Sequence, residues 1–368
     1  APRPAGCTAD MVPTTAQIWA RLSGGTAPSG CEDAAVRITR GARVLHWPLA
    51  FADIVAGHGG FDVVIGNPPW EVMQLEEEEY FGSRLSEVSA LKGAARKAAI
   101  SALSTARPEL FAQFAHARRH SEAMGVFVRA CGRFPLAGRG KGNTYALFTE
   151  LFLSLVRREG RAGLVVPTGI ATDATTAPLL GHLVEERRLA RLMDFENSAP
   201  LFPGVHRSFK FCLLTIGTAI AQTEFACFLT DTQQCGDTRR GFSLSAEEIA
   251  RINPNTRTMP VFRSRMDAAL TTAIYAHVPV FVNEADGPAG NPWDVEFRQG
   301  LFNMTSDSRL FRTAAQLAGG GWRRRGVDWV RAAHTAKDVA REGCELRYVP
   351  LYEAKMGYFY DHRHAGYG

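Results

Sequence analysis

The sequence predicts an α/β fold built on a doubly wound sheet, and three features carry that expectation. Apolar runs of strand length, FDVVIG, RAGLVVPTG, LARLMDFEN and SFKFCLLTIGTA, recur between residues 61 and 219. Segments with helical apolar spacing, NTYALFTELFLSLVRREG and TTAPLLGHLVEERR, separate the first three. Such alternation is the pattern of a sheet covered by helices on both faces. Beyond about Ala221 the elements become shorter and mixed, which marks a change of organisation.

Taken in order, residues 1 to 43 are rich in Pro, Gly, Ala and Thr and read as loop, with one short helix near residues 16–22. VLHWPLAF is the first ordered element expected. FDVVIG, bounded by Gly59-Gly60 and by Pro68-Pro69, reads as a fully buried strand of the kind parallel sheets use. The acidic run Glu76 to Glu79 reads as a solvated helix face, followed by an alanine-rich helical region to about Thr105. Residues 116–141 hold six basic side chains, Arg118, Arg119, Arg129, Arg133, Arg139 and Lys141, against the single acid Glu122. NTYALFTELFLSLVRREG reads as a helix with a glycine stop at Gly160. Past residue 221 come a capped helix, LSAEEIARI, the loop NPNTRTMP, a helix near residues 265–276, and loops rich in aromatics and arginine.

A chain of 368 residues, 46% hydrophobic and 21% charged, has room for two cored domains. The net charge of +5 suits a polyanionic partner without requiring one. Seven cysteines are scattered without CxxC or His/Cys clustering, so neither a zinc site nor a disulfide framework is indicated, and a reducing cytoplasm is the expected compartment. No apolar stretch reaches the ~18 residues of a membrane span, and APRPAGCTAD lacks an apolar signal core. The alanine start and the ending DHRHAGYG suggest a fragment at both ends.

The chemistry concentrates in Asn67-Pro68-Pro69-Trp70, directly after FDVVIG. In open α/β sheets reactive groups sit at the carboxyl ends of strands. Two prolines fix their own dihedrals and restrict the residue before them, so the Asn67 and Pro68 carbonyls are aimed at low entropic cost. The amide oxygen of Asn67 and a pinned carbonyl make two acceptors for an amino group, and Trp70 offers a flat face for its ring.

This corner resembles the Asn/Asp/Ser-Pro-Pro-aromatic motif of S-adenosylmethionine-dependent amino-methyltransferases, most closely the adenine-specific DNA methylases of type IIG restriction-modification systems. The resemblance extends through HWPLAFADIVAGHGGFDVVIGNPPWE, GKGNTYALFTELFLSLVRREGRAGLVVPTGIATD, LMDFENSAPLFPGVHRSFKFCLLTI, NPNTRTMPVFRSRMDA and YVPLYEAKM, in the family's order. It implies the carboxyl half of a Rossmann-like methyltransferase sheet, followed by a mixed α+β connector region. The implied domains are residues 1–220, a partial catalytic domain, and 221–368, a connector leading into a target-recognition region. It implies transfer of a methyl group from S-adenosylmethionine to the exocyclic amine of a flipped adenine in double-stranded DNA. Asn67 and Pro68 would accept from that amine, Pro69 would stiffen the corner, and Trp70 would stack on the base. Phe202 of LFPG matches the aromatic on the base's other side, with Phe209 as the competing assignment. Asp53 matches the acid that holds the cofactor's adenine, while Asn67 and Asn143 border the cofactor. Arg118, Arg119, Arg139 and Lys141 are the expected DNA-backbone contacts, and Trp322-Arg323-Arg324-Arg325 is a further candidate. No metal is implied. A fused or separate restriction or defence subunit is an expected partner.

The pattern is broken in one respect. The family's glycine-rich cofactor loop after its first strand is missing: GGTAPSG follows no apolar run, and GHGG precedes a strand. The chain alone is therefore expected to be inactive, with three strands upstream of Ala1. GRGKGNT fails the GxxxxGK[ST] spacing and reads as a flexible turn. Glu353-Ala354-Lys355 lacks an upstream Pro-Asp partner and reads as a connector, not a nuclease half-site. His46, His58 and His206 are lone histidines and read as structural or exposed. Two other functions stay open: methylation of an amine in RNA or protein, and a non-catalytic DNA-binding module that keeps the fold.

Overall fold

The computed structural model describes residues 14–26, 30–41, 43–140, 142–199, 201–297, 302–303, 307–332, 345–351, 356 and 358. The chain divides into two compact units, Ala1–Asp294 and Val295–Gly368. Lys141 and Glu353-Ala354-Lys355 lie outside the described residues.

The first unit is built on a six-stranded sheet: β1 (Phe61–Gly66), β2 (Val156–Pro167), β3 (Leu189–Glu196), β4 (Lys210–Ile216), β5 (Thr223–Leu229) and β6 (Phe242–Leu244), in the order β1-β2-β4-β3-β5-β6. β1 runs parallel to β2, and β3 to β5. β4 is antiparallel to both β2 and β3, between which it lies, and β6 is antiparallel to β5. All four strands expected between residues 61 and 219 form, but the sheet is mixed. A direct return from β3 into β4, without a crossover helix, forces antiparallel pairing. The change expected near residue 220 falls inside this unit, because β5 and β6 extend the same sheet.

β1 corrects the expectation of a fully buried strand. Among the described residues it pairs only with β2, as an edge, and Val63 and Ile65 are 58% and 79% exposed. An apolar run records what side chains prefer, not how many neighbours the backbone finds. Gly60, with φ +130°, leads into β1 where a Cβ would lie 2.5 Å from the Leu155 carbonyl oxygen. The last glycine of GHGG thus serves a close backbone approach.

The helix Thr144–Leu155 stops short of the predicted end, and VRREG instead opens β2. Gly160 is a strand residue where a Cβ would meet the Phe61 and Asp62 carbonyls at 2.8 and 2.7 Å. The helix Thr15–Leu22 matches the expectation and carries a reciprocal cap between Thr14 and Gln17. The helix Cys31–Gly41 falls in what read as loop. Glu32 and Asp33 in its first turn and Arg40 in its last complement the helix dipole. VLHWPLAF supplies one helical turn, Trp47–Ala50.

The main core packs the helices Thr144–Leu155 and Ala177–Glu185 on one sheet face, through Leu164, Val166, Leu179, Leu183, Leu214 and Ile216. Each such side chain contributes roughly 1.5–3 kcal/mol of burial. Met193, Phe195, Phe211, Ala226 and Leu229 form a smaller cluster on the other face. Between β1 and β2 a helical insertion, with the helices Gly93–Ala106 and Pro108–Ala130, builds its own cluster around Phe81, Ile100 and Phe114.

In the second unit, β7 (Arg323–Arg325), β8 (Asp328–Ala332) and β9 (Glu345–Tyr348) form an antiparallel sheet. Arg325 is paired with Glu345 at 2.7 Å, and Arg331 lies over the Trp322 ring. Among the described residues no helix is long and apolar enough to cross a membrane.

Candidate active site

β1 ends at Gly66, so Asn67 emerges at the carboxyl end of the sheet, beside the end of β2. The corner that follows is held from behind by the start of the helix Thr144–Leu155. The Thr144 hydroxyl donates to the Pro69 carbonyl at 2.6 Å and accepts from the Glu71 amide at 2.9 Å. The Thr144 amide donates to the Glu71 carbonyl, and the Met73 amide to the Gly142 carbonyl. Trp70 is half-buried, and its indole N–H donates to the Val165 carbonyl at 3.2 Å. One edge of the indole is therefore anchored on β2.

What this scaffold leaves free is as informative as what it holds. Among the described residues neither the Asn67 side-chain amide nor the Pro68 carbonyl has a protein hydrogen-bond partner, whereas the Pro69 carbonyl is taken. Asn67 lies at an open cleft of about 370 Å³ with Pro68, Pro69 and Trp70. Its other walls are Val165, Phe202, Val205, Phe209 and Phe211. Apolar walls with a few directed polar groups are the usual make-up of a small-ligand site.

Both candidate stacking residues line this cleft. Phe202 and Phe209 are each about half exposed, and neither displaces the other. Phe211, buried at the floor, stacks on Phe195 at 5.2 Å and meets Phe202 edge-on at 5.2 Å. Sequence reading missed it, although its signal was present: Phe209 and Phe211 are two apart, the spacing that puts side chains on one face of a strand.

Asn197, just past β3, was also missed. It is fully buried. Its amide nitrogen donates to the carbonyls of Phe202 at 3.1 Å and Val205 at 2.9 Å, and its oxygen accepts from the Phe202 amide at 3.0 Å. One side chain thus folds the loop that carries two wall residues. Glu150 does similar work on the opposite side of the corner. It is buried, and it accepts the amides of Leu136 at 3.1 Å and Ala137 at 2.8 Å, fixing the loop before Gly142.

The other expected site residues are dispersed. Asp53 is exposed on a short helical turn, Asp53–Gly57, that precedes β1. β1 spans six residues, so Asp53 sits at the opposite end of that strand from Asn67, on the order of 20 Å away. Asn143 caps the helix Thr144–Leu155, its oxygen accepting from the Tyr145 amide. Of the residues expected to hold S-adenosylmethionine, only Asn67 lines this cleft. Arg118 and Arg119 are exposed on the helix Pro108–Ala130, where Arg118 lies 3.7 Å from Glu122. Arg118 also borders a second cavity of about 330 Å³ with Met73, Ser121 and Arg129. Arg139 is exposed and donates to the Pro135 carbonyl at 3.2 Å.

Behind the cleft, burial keeps a phenol and two thiols protonated into the alkaline range. Burial, then Asp173 and Cys212, pushes Tyr145 up to about 12. Burial, then Asp194, raises Cys227 to about 12, and the same two causes with Cys227 raise Cys212 well above the usual thiol range.

Residues 17–101, the segment containing the Asn67–Trp70 corner, match the family model of the Eco57I restriction-modification methylase. No curated protein matches the chain. Among solved structures, a type I restriction-modification system methyltransferase subunit from Streptococcus thermophilus is 13% identical, with a TM-score of 0.32 over 55% of this chain and 39% of that one. The type IIG restriction endonuclease BpuSI is 15% identical, with a TM-score of 0.27 over 76% of this chain and 25% of that one. The chain thus spans well under half the length of either. Over residues 17–101, where the free Asn67 amide and its diproline corner lie, this chain is similar to restriction-modification methylases of the Eco57I family.

Proposed function

We propose that this chain carries the base-binding part of an adenine-specific DNA methyltransferase of a restriction-modification or phage-defence system. The observation that supports this reading is the pair of unengaged acceptors at Asn67 and Pro68, at the polar edge of a cleft walled by aromatic rings. An extruded adenine would lie with its ring between Trp70 and the Phe202, Phe209 and Phe211 side, its exocyclic amine at that edge. Accepting both N–H groups of the amine holds the nitrogen lone pair out of conjugation with the ring and makes it the nucleophile. Pro69 holds the geometry, since an acceptor on a mobile loop would lose the orientation on which such a step depends.

The methyl donor in this reading is S-adenosylmethionine. Asp53, Asn67 and Asn143 are the residues proposed toward it, and of these only Asn67 lines the cleft, so the chemistry argued from this chain is that of the base. Arg118, Arg119, Arg139 and Lys141 are the proposed DNA-backbone contacts, and double-stranded DNA and a restriction or defence subunit the proposed partners.

The test is methyl transfer to duplex DNA by the protein that contains this chain, with N6-methyladenine read by mass spectrometry. Asn67→Ala should lower transfer by roughly 10²–10³-fold, as loss of one directed transition-state hydrogen bond does, with DNA binding retained. Undiminished transfer in that variant would refute the assignment. DNA binding without transfer in the unaltered protein would leave a binding module in its place.

A further inference from the structure

The second observation that carries a function lies on the sheet face opposite the cleft. Phe228, near the end of β5, has φ +58°, in the left-handed region that a bulky side chain seldom adopts. It sits at a bulge: β3 and β5 slip register between Met193 and Phe195, so that an extra β5 residue lies opposite Asp194. The buried Asp194 carboxylate holds the distortion. One oxygen accepts the Phe228 amide at 3.4 Å and the other accepts the Thr168 hydroxyl at 2.5 Å. Bulges re-aim side chains, and strained residues maintained by buried partners cluster at functional sites.

The ring is aimed beneath cations. The Arg263 guanidinium lies 4.2 Å from its centroid, and the Lys210 ammonium 5.3 Å away. Arg240 donates to the Phe228 carbonyl at 3.3 Å. Arg265 donates its amide to the Arg239 carbonyl at 2.8 Å, bringing 239–240 and 263–265 side by side. Besides the buried Asp194, three carboxylates lie close among the described residues. Glu196 pairs with Lys210 at 2.7 Å, Asp237 takes Arg239 at 2.9 Å with Arg240 at 4.0 Å, and Asp267 is bound to Ser264. Among the described residues Arg263 and Arg265 have no carboxylate partner, and Arg263 makes no hydrogen bond to protein. A guanidinium stacked on a ring keeps its in-plane N–H groups pointing outward, in the fork that matches a phosphate.

Position names the ligand. Phe209 and Phe211 line the cleft, and Lys210 between them points to the other face of β4. The cation tier therefore begins one residue from the cleft wall. We infer that Phe228, Lys210, Arg263 and Arg265 form a platform for the phosphodiester backbone of the nucleic acid whose base enters the cleft. This rests on the reading of the cleft as a nucleobase site. Lys210 spans the wall between the two, and Arg263 takes a phosphate flanking the extruded nucleotide.

The experiment is fluorescence anisotropy of a labelled short duplex titrated with the protein that contains this chain, over a range of salt concentrations, with methyl transfer measured on the same protein. Arg263→Ala should lower the slope of log K against log salt by about 1, and Arg263→Ala with Arg265→Ala by about 2. Arg187→Ala, which removes a cation paired with Glu247 elsewhere on the surface, should leave it unchanged. Thermal melts identify any variant that fails to fold. Phe228→Gly relieves the left-handed backbone, so weaker DNA binding without a lower melting temperature would separate a platform from a packing residue. A native slope in both arginine variants, or no DNA binding by the unaltered protein, overturns the platform. A changed slope without methyl transfer leaves the platform standing and removes the methylase reading, and transfer with an unchanged slope does the reverse.

Discussion

Asn197→Ala tests whether a single buried amide shapes the cleft wall. The side chain makes three hydrogen bonds to the loop that carries Phe202 and Val205 and is itself fully buried. Truncation leaves two carbonyls and one amide of that loop without their partner. At a net ~1 kcal/mol per hydrogen bond, with water reaching part of a loop whose Phe202 is half exposed, the expected loss is about 2–3 kcal/mol. Urea unfolding followed by circular dichroism measures it as a lower midpoint at unchanged slope. Asn197→Asp sharpens the test. It keeps the acceptor for the Phe202 amide but loses both donors and sets a carboxylate against two carbonyls, so it should be no more stable than the alanine variant. A loss within ~0.5 kcal/mol for Asn197→Ala, the range of an ordinary surface change, would refute the clamp.

Two further expectations concern the shell around the site. Glu150→Gln keeps the acceptor for one of the Leu136 and Ala137 N–H groups but turns an amide nitrogen toward the other, and should cost about 1.5–3 kcal/mol in the same unfolding assay. An unchanged midpoint would show that the 131–142 loop is held by other contacts. At alkaline pH the buried acids weaken the fold. Cys227 is raised from near 9 to about 12 and Tyr145 from 10 to about 12, so the folded state keeps protons that the unfolded chain releases. Their stabilisation is full below the unfolded values and is lost as pH rises through the folded ones, that is, between about pH 9 and 12. Chemical unfolding at pH 8 and pH 10 should show this loss, and Cys227→Ala should flatten it; an identical pH slope in that variant would contradict the assignment to the thiol.

Much of the site was legible before the structure. Asn67, Trp70, Phe202 and Phe209 were all singled out, and all four line one cleft. Their signals are local: a diproline after an apolar run, and aromatics in a glycine-containing loop. Asn197 and Glu150 were not legible, because a buried amide and a buried carboxylate look like any surface Asn and Glu until the carbonyls and amides they bind are brought to them from up to 14 residues away. Asp53, expected at the cofactor's adenine, precedes β1 while Asn67 follows it, so the strand's six residues separate the two.

By itself the sequence determined the four strands between residues 61 and 219 and the corner. Apolar runs of six or more residues specify strands, and Pro68-Pro69 restricts dihedrals within two residues, so no distant contact is needed to stiffen the turn. Tertiary structure decided which strands became neighbours, and with that the exposure of β1, the antiparallel insertion of β4 between β2 and β3, and the meeting of Phe211 with Phe202. It also set Lys210 and Arg263 over one ring from segments more than fifty residues apart. The physical reason is range: dihedral preference and side-chain period act along the chain, whereas strand pairing and stacking depend on backbone and ring surfaces that only the folded chain brings within a few ångströms.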